Sequence, residues 1–321
     1  MSGLLEGLGI QLPIVQAGMG GGLSTHRLAA AVSEAGGLGM IGILDPESLR
    51  EELRLARERT SNPIAVNLLL PFARRRHWEA ATQADVVVTF WGRPRRRAPG
   101  VWIHQCGSVQ EALAAHAAGA DAVIAQGSEA GGHVRGSVSA LELLERIRAA
   151  LPDAYPVLSA GGIADAADAR SRLDAGAAAL VSGTRFLLTD ESGAHPEYKR
   201  RLLDADETVL TELFGVGWPA PHRVVANAAT QRWLGNDPRG PAWLRAFHRA
   251  TAPVFSRVPA AMQLRLAATQ SPGRPMFGPA AATDAGPANL VDAGPLYAGE
   301  CVERIADIRA AADVTRELAG T

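Results

Sequence analysis

The chain contains eight short apolar runs, and stretches with helical periodicity separate most of them. The runs cover residues 14–17, 38–41, 64–68, 86–90, 101–105, 122–125, 157–160 and 178–181. Amphipathic helical stretches cover residues 25–35, 46–59, 109–118, 140–150 and 165–175, and a glycine follows three of them at Gly36, Gly119 and Gly176. Strands that alternate with helices are parallel, and eight of them predict an α/β fold closed into a TIM (β/α)8 barrel.

The connection between the fourth and fifth runs departs from this pattern. Residues 92–100 contain two prolines and four arginines, whereas parallel neighbours usually need a crossover of a dozen or more residues. We therefore predict that the fourth barrel helix is missing or replaced by a tight extended loop. The exposed flank would need cover from the C-terminal segment or from another subunit, which favours a homodimer. We interpret the arginines as a solvated loop rather than as a specific anion site.

The strand and helix alternation stops near Asp206, which predicts three parts. Residues 1–206 form the barrel with its ligand site. Residues 207–294 form a small helical insertion that caps the barrel mouth, with helical character at 241–270 and a glycine- and proline-rich stretch after it. Residues 295–321 return to the barrel with a final helix over 302–318.

Charge, cysteine and lysine content argue against several classes of function. A net charge of -1 disfavours strong binding to nucleic acid or an anionic membrane, and no apolar run approaches membrane-spanning length. Cys106 and Cys301 form neither a zinc motif nor a disulfide framework, and residues 1–12 do not resemble a signal peptide, so we expect a cytoplasmic protein. The single lysine, Lys199, is predicted at an exposed helix start, which argues against Schiff-base catalysis.

Residues 125–133, Ala-Gln-Gly-Ser-Glu-Ala-Gly-Gly-His, follow the sixth run at a predicted strand end. The small residues let the backbone approach a flat ligand, and His133 adds a side chain that moves protons near neutral pH. This combination indicates a cofactor cradle with a base at its edge. The alternative is a glycine-rich barrel loop that ends in a histidine. Glu129 either orients His133 or faces solvent, and we favour solvent.

The turns after the seventh and eighth runs have the composition of a phosphate cup. In TIM barrels the loops after these two strands commonly hold a phosphate group. Glycines here expose backbone N–H groups, and two hydroxyl side chains add donors, although for one such loop alone a plain turn is the alternative. The residues expected to contribute are Gly161, Gly162, Val181, Ser182, Gly183 and Thr184.

Other strand ends supply a flat floor and amide groups. Small residues at 16–22 let a ring lie on the backbone, although Leu23 stands where a dinucleotide fingerprint needs its third glycine. Amide side chains can donate to and accept from the edge of a heterocycle, although each one alone is more often a capping residue. The residues expected here are Ala17, Gly18, Met19, Asn67, Gln105, Gln126, Gly131 and Gly132. Cup, floor and amides together predict a flavin mononucleotide (FMN) site.

Six motifs, in this order, resemble the nitronate monooxygenase (2-nitropropane dioxygenase) family, which also includes flavin-dependent enoyl-acyl-carrier-protein reductases. They are Pro-Ile-Val-Gln-Ala-Gly-Met at 13–19, Gly-Gly-Leu-Gly at 36–39, Val-Asn-Leu at 66–68, Gln-Gly-Ser-Glu-Ala-Gly-Gly-His at 126–133, Ala-Gly-Gly-Ile-Ala at 160–164 and Gly-Thr-Arg-Phe at 183–186. The resemblance covers about 12–206 and, more weakly, the turn at 297–300. It implies that His133 is the catalytic histidine beside the flavin. The flavin contacts that it implies are Asn67, Gln126, Gly131, Gly162 and residues 181–184.

The leading hypothesis from this resemblance is an FMN-dependent oxidation of alkyl nitronates by O2. His133 would remove the α-proton of a neutral nitroalkane, or hold the nitronate oxygens once it is protonated. One alternative is a reductase that takes hydride from NAD(P)H and reduces an enoyl thioester. Another is a phosphate-ligand-binding barrel without turnover. No histidine pair has metal-ligand spacing, so we predict no metal site.

Overall fold

A computed structural model describes residues 3–94, 100–255, 258 and 260–321. Eight parallel strands form one sheet, and the short strand β7 (Gly132–His133), which comes after β6 in the chain, lies outside it. The eight strands are β1 (Ile14–Gln16), β2 (Gly39–Ile41), β3 (Ile64–Leu69), β4 (Val86–Phe90), β5 (Val101–Cys106), β6 (Ala122–Gln126), β8 (Val157–Ala160) and β9 (Leu180–Ser182). From β2 to β9 each strand of this sheet pairs with the next one in the chain, and β9 pairs with β1. Backbone hydrogen bonds from Gln16 to Leu38 (3.0 Å) and from Leu38 to Ile14 (2.8 Å) close the barrel between β1 and β2.

Side chains inside the barrel form an apolar layer, because alternate residues of a strand point to the same face. Val15, Met40, Ile103 and Leu158 are buried in this layer. Leu5, from the short helix α1 (Gly3–Gly7), is fully buried in the same cluster. The N-terminal segment therefore contributes to the barrel core.

Six helices that connect barrel strands lie on the outside of the barrel. Where the sequence predicted the boundaries of these helices and of the barrel strands, the structure agrees within two residues. The six helices are α2 (His26–Glu34), α3 (Pro46–Arg57), α4 (Arg75–Ala81), α5 (Val109–Ala117), α6 (Ala140–Ala150) and α7 (Ala166–Asp174). Several begin where the sequence supplies a cap. The Ser139 hydroxyl accepts from Glu142 N (3.2 Å), and the Asp165 carboxylate accepts from Ala167 N (2.9 Å). Their inward faces, such as Leu49 of α3, pack on the outer faces of the strands.

The connection between β4 and β5 contains no helix in its described part, residues 91–94 and 100. Residues 95–99, which carry three of the four arginines of this loop, lie outside the described residues. Every other consecutive pair of barrel strands has a helix between its members. The barrel itself is as predicted.

A second, antiparallel sheet lies beside the barrel and combines distant parts of the chain. It contains β7, β10 (Val209–Thr211), β11 (His222–Val225) and β12 (Leu296–Tyr297). The remaining helices are α8 (Thr184–Leu187), α9 (Pro196–Leu203), α10 (Ala228–Trp233), α11 (Ala242–Phe255), α12 (Ala260–Ala268), α13 (Leu290–Ala293) and α14 (Ala311–Ala319). The range 207–294, predicted to be helical, therefore also supplies two strands. Within the described residues, no helix combines the length and apolarity that crossing a membrane requires.

Two local predictions were wrong. The final helix begins at Ala311 rather than at 302. Residues Glu300–Arg304 form a 3₁₀ helix, and Arg309 forms an isolated parallel β-bridge with Thr189. Lys199 is buried rather than exposed. Its ammonium group donates to the carbonyl oxygens of Thr189 (2.6 Å) and Ser192 (3.0 Å), and burial lowers its pKa. These contacts link α9 to the segment after α8, away from the large cavity described next.

Candidate active site

A cavity of about 1190 Å³ lies at the carboxyl ends of the barrel strands. All the residues that the sequence predicted for catalysis or cofactor contact line this cavity. They are Ala17, Gly18, Met19, Asn67, Gln105, Gln126, Gly131, Gly132, His133, Gly161, Gly162, Val181, Ser182, Gly183 and Thr184. The carboxyl end of a TIM barrel is also where ligands bind in this fold. No group of three or more His, Cys, Asp or Glu side chains in the described ranges is arranged to hold a metal ion.

The loop after β1 is held in place by two buried side chains that the sequence interpretation missed. Gln16 Nε2 donates to Ser24 Oγ (2.9 Å), and its Oε1 accepts from Met40 N (3.0 Å). Ser24 Oγ in turn accepts from Met19 N (3.0 Å). These bonds fix the backbone of 17–19 at the cavity wall. The only available signal was a glutamine at the end of an apolar run.

Asn67, at the inner wall of the cavity, has one buried polar atom with no partner. Its Nδ2 donates to Gly18 O (3.2 Å), whereas its Oδ1 is buried and makes no hydrogen bond within the described structure. Buried polar atoms are rarely left unsatisfied, because each costs about 1–3 kcal/mol. An N–H donor on a bound ligand would satisfy this oxygen.

Strand β5 presents Gln105, and not His104, to the cavity. Gln105 lines the cavity, whereas His104 is on the opposite face and is hydrogen-bonded to Thr89 Oγ1 (2.7 Å). Because successive side chains of a strand point to opposite faces, the sequence alone could not decide which of the two residues faces the cavity. Burial lowers the pKa of His104 to about 4, so it is neutral at pH 7 and outside the site.

Gln126 holds the loop that carries His133. Its Nε2 donates to His133 O (3.0 Å), and its Oε1 accepts from Arg135 N (3.1 Å). Although Gln126 borders the cavity, its amide group already bonds the protein backbone on both sides. The role of Gln126 in the structure is therefore to fix the position of His133.

His133 is held in the cavity wall by β-sheet pairing. β7 pairs with β11, which places His133 opposite His222. His133 Nε2 is buried and makes no hydrogen bond among the described residues. Burial, and after it the neighbouring His222, hold the pKa of His133 well below its ordinary value of 6.5. The imidazole is thus neutral at pH 7, with an uncommitted nitrogen.

Trp218 stacks on the imidazole of His133, with ring centroids 3.5 Å apart and planes inclined by 13°. Phe72 and Trp91 meet Trp218 edge-on, at centroid distances of 5.7 Å and 5.4 Å. Trp91 has φ of 63°, a left-handed conformation that is uncommon for a bulky residue and frequent at functional sites. Because stacking covers a face and not the edge of the imidazole, it leaves the ring nitrogens able to exchange protons. The sequence interpretation missed this group, since nothing local connects residues 72, 91 and 218 to residue 133.

The two turns predicted as a phosphate cup lie together at one side of the cavity. Gly161 and Gly162 have φ of 113° and 72°, so both need glycine, and successive turn glycines of this kind point backbone N–H groups at an anion. The Ser182 hydroxyl, predicted as a phosphate donor, instead donates to Ile163 O (3.1 Å) and joins the two turns. Thr184 Oγ1 accepts from Gly299 N (2.9 Å), and the Thr184 side chain is also hydrogen-bonded to the Cys301 side chain.

Glu129 neither orients His133 nor faces solvent, so both interpretations offered for it were wrong. Its carboxylate accepts from the backbone N–H of Ala140 (2.9 Å), at the start of α6, and lies 3.3 Å from Arg172. The side chain is 12% exposed. A carboxylate at a helix start is stabilised by the unpaired N–H groups there. Glu129 therefore anchors the loop that leads to His133.

Gly131 is required by close packing. A Cβ atom at this position would lie 2.5 Å from Gly299 N and 2.6 Å from the carbonyl carbon of Ala298. The segment at 298–299 also carries the N–H that bonds Thr184. The glycine therefore lets the His133 loop, the C-terminal segment and the phosphate-cup turn meet at one side of the cavity.

Comparison with known proteins agrees with this geometry. The model of the nitronate monooxygenase family matches residues 2–96 and 95–320. The chain belongs to this family. The nitronate monooxygenase of Pseudomonas aeruginosa is 36% identical over 263 residues, which are 64% of this chain and 74% of that protein. Members of the family are flavin-dependent oxidoreductases, so the chain belongs to an enzyme family of that kind.

Solved structures share both the fold and nearly the full length. FabK from Thermotoga maritima has a TM-score of 0.77 and 28% identity, covering 100% of this chain and 95% of that chain. A nitroalkane oxidase from Streptomyces ansochromogenes has a TM-score of 0.75 and 31% identity, covering 99% and 97%. This chain is thus similar to proteins with two kinds of activity, and the residues of its cavity help to decide between the two.

Proposed function

We propose that the protein binds FMN in the cavity at the barrel mouth and oxidises alkyl nitronates with O2. The observation that supports this most strongly is that two polar atoms on the walls of one cavity, Asn67 Oδ1 and His133 Nε2, are buried and have no hydrogen-bond partner among the described residues. One is suited to accept from a heterocyclic N–H group, and the other is suited to exchange a proton with a substrate.

The residues of the cavity fit a flavin nucleotide. Asn67 and Gln105 would meet the polar edge of its ring system, residues 17–19 would lie under the ring, and the turns at 161–162 and 181–184 would hold its phosphate. When bound, the flavin would accept electrons from the substrate and pass them to O2. The side chains of Gln126 and Ser182 contribute by fixing the loops, since the structure commits their polar atoms to the backbone.

His133 has the properties of a base for neutral nitroalkanes. Its lowered pKa leaves it unprotonated at pH 7, and its free nitrogen can accept the α-proton of a nitroalkane. Once protonated, the imidazolium would be attracted to the negative oxygens of the nitronate. Trp218 would hold the ring plane while the proton is exchanged at its edge.

The range 207–294 would cap this site. Val216 and Trp218, from the loop before β11, line the cavity together with Leu266 of α12. A cap of this kind would limit the access of water to His133. We also propose that the protein forms a homodimer and lies in the cytoplasm. Size-exclusion chromatography with light scattering tests for the homodimer.

The runner-up is an NAD(P)H-dependent enoyl-thioester reductase, and the likeness to FabK, an enoyl-acyl-carrier-protein reductase, favours it. An aerobic assay separates the two activities. Oxygen uptake with propionate 3-nitronate or 2-nitropropane supports the oxidation, and loss of NADH or NADPH with a crotonyl thioester supports the reductase. His133→Asn should lose the turnover of neutral nitroalkanes and keep its bound flavin. A His133→Asn protein with wild-type turnover of 2-nitropropane would rule out His133 as the base.

A further inference from the structure

The cavity continues from His133 towards solvent along apolar side chains. We call this part the outer compartment, and its apolar wall residues are Phe72, Val216, Phe255, Val258, Leu266 and Met276. The polar side chains of Thr269, Gln270 and Arg274 also line the cavity in the same segment. Phe72 meets Trp218, which stacks on His133, so the apolar wall begins directly beside the proposed base. Leu266 and Met276 are 44% and 45% exposed, so the wall reaches the surface.

The cavity volume is above the range that is usual for a single bound ligand. Cavities that enclose one drug-sized ligand are about 300–1000 Å³. This cavity is about 1190 Å³, and the residues proposed for the flavin all come from the barrel loops. The outer compartment is built mostly by residues 216–218 and 255–276, which lie in a different part of the chain.

The apolar character of this wall selects the class of substrate. Side chains such as Leu266 and Met276 are half-exposed at the entrance, and covering them with an apolar group removes apolar surface from water. We propose that the physiological substrate carries an extended apolar chain of several carbon atoms, which lies in the outer compartment while its reacting carbon lies beside His133. This inference rests on the proposed function for the position of the reacting carbon.

The predicted effect is a dependence of turnover on chain length. Burial of one methylene group improves binding about fourfold, so kcat/KM should rise about fourfold for each carbon added while the chain stays within the compartment. The experiment measures kcat/KM for the nitronates of nitroethane, 1-nitrobutane, 1-nitrohexane and 1-nitrooctane.

A matched pair of variants tests the position of the chain. Leu266→Asp places a charge on the wall of the outer compartment. Leu113→Asp is the control, because Leu113 on α5 is 42% exposed and lies outside the cavity. We expect Leu266→Asp to flatten the dependence on chain length, measured within each protein as the ratio of kcat/KM for 1-nitrooctane to kcat/KM for nitroethane. Leu113→Asp should keep the wild-type dependence.

A wild-type kcat/KM that does not rise with chain length would overturn the inference and leave the nitronate oxidation intact. So would two aspartate variants with the same dependence. If no nitronate is oxidised, the proposed function fails. The dissociation constants of the C4, C6, C8 and C10 n-alkyl carboxylates then still test whether the outer compartment binds an apolar chain. Quenching of tryptophan fluorescence reports them, since Trp218 lines the cavity. Affinity that rises with chain length in the wild type and not in Leu266→Asp supports the compartment, and constant affinity contradicts it.

Discussion

His104 should make the barrel lose stability in mild acid. Trp102 Nε1 donates to Thr89 Oγ1 (2.7 Å), so the Thr89 hydroxyl has its proton free to donate to His104 Nδ1 (2.7 Å). Nδ1 is then an acceptor, and protonation of the imidazole would break this bond. Burial lowers the pKa of His104 from 6.5 to about 4. The unfolded chain therefore takes up a proton between pH 6.5 and pH 4 that the folded chain does not, and stability falls as the pH falls through this range.

The size of the effect follows from the two pKa values. Each pH unit in this range costs 1.36 kcal/mol per proton, so His104 alone should cost about 2 kcal/mol between pH 7 and pH 5. This is a large part of the ~5–15 kcal/mol that stabilises an ordinary domain. Urea unfolding at both pH values measures it. His104→Asn keeps an acceptor near the position of Nδ1 and cannot titrate, so its loss from pH 7 to pH 5 should be smaller than that of the wild type by about 2 kcal/mol. Equal losses in the two proteins would refute this assignment.

Three further substitutions test the site. Gln126→Leu leaves two backbone partners unsatisfied, so we expect a loss of about 2–4 kcal/mol in urea unfolding and a fall in kcat/KM; wild-type values for both would contradict the bracing role. Gly131→Ala forces the segment at 298–299 away and should cost about 1–3 kcal/mol, seen as a lower Tm in calorimetry; an unchanged Tm would show that the segment yields freely. Trp218→Ala admits water to His133, so the pKa of His133 should rise and the acid limb of the pH profile of kcat/KM should move to higher pH. Trp218→Phe should keep the acid limb at its wild-type pH. Acid limbs at the same pH in the two variants would show that Trp218 does not influence the titration of His133.

The barrel and most of the site positions could be predicted from the sequence because their signals are local. Each strand is a continuous apolar run, and each cofactor-side residue stands at the end of such a run. Asn67 lies near the carboxyl end of β3, and the glycines at 161–162 follow β8 directly, so knowing the strand order is enough to bring them to one end of the barrel.

The features that escaped prediction depend on contacts between distant parts of the chain. Trp218 reaches His133 only because β11 pairs with β7, and neither short strand has a strong pattern of its own. Glu129 is buried because the start of α6 and Arg172 lie beside it. Lys199 has the sequence context of an exposed helix, and only the turn at 189–192 buries it.

The proposed function requires a flavin in the cavity that receives electrons from a substrate beside His133. The most direct test is the visible absorption spectrum of the purified protein, recorded without air before and after addition of a nitronate. We expect a yellow protein that releases about one FMN per chain on denaturation and is bleached by the nitronate. A protein that stays colourless after reconstitution with FMN, or a bound flavin that neither a nitronate nor NAD(P)H can bleach, would contradict the proposed function.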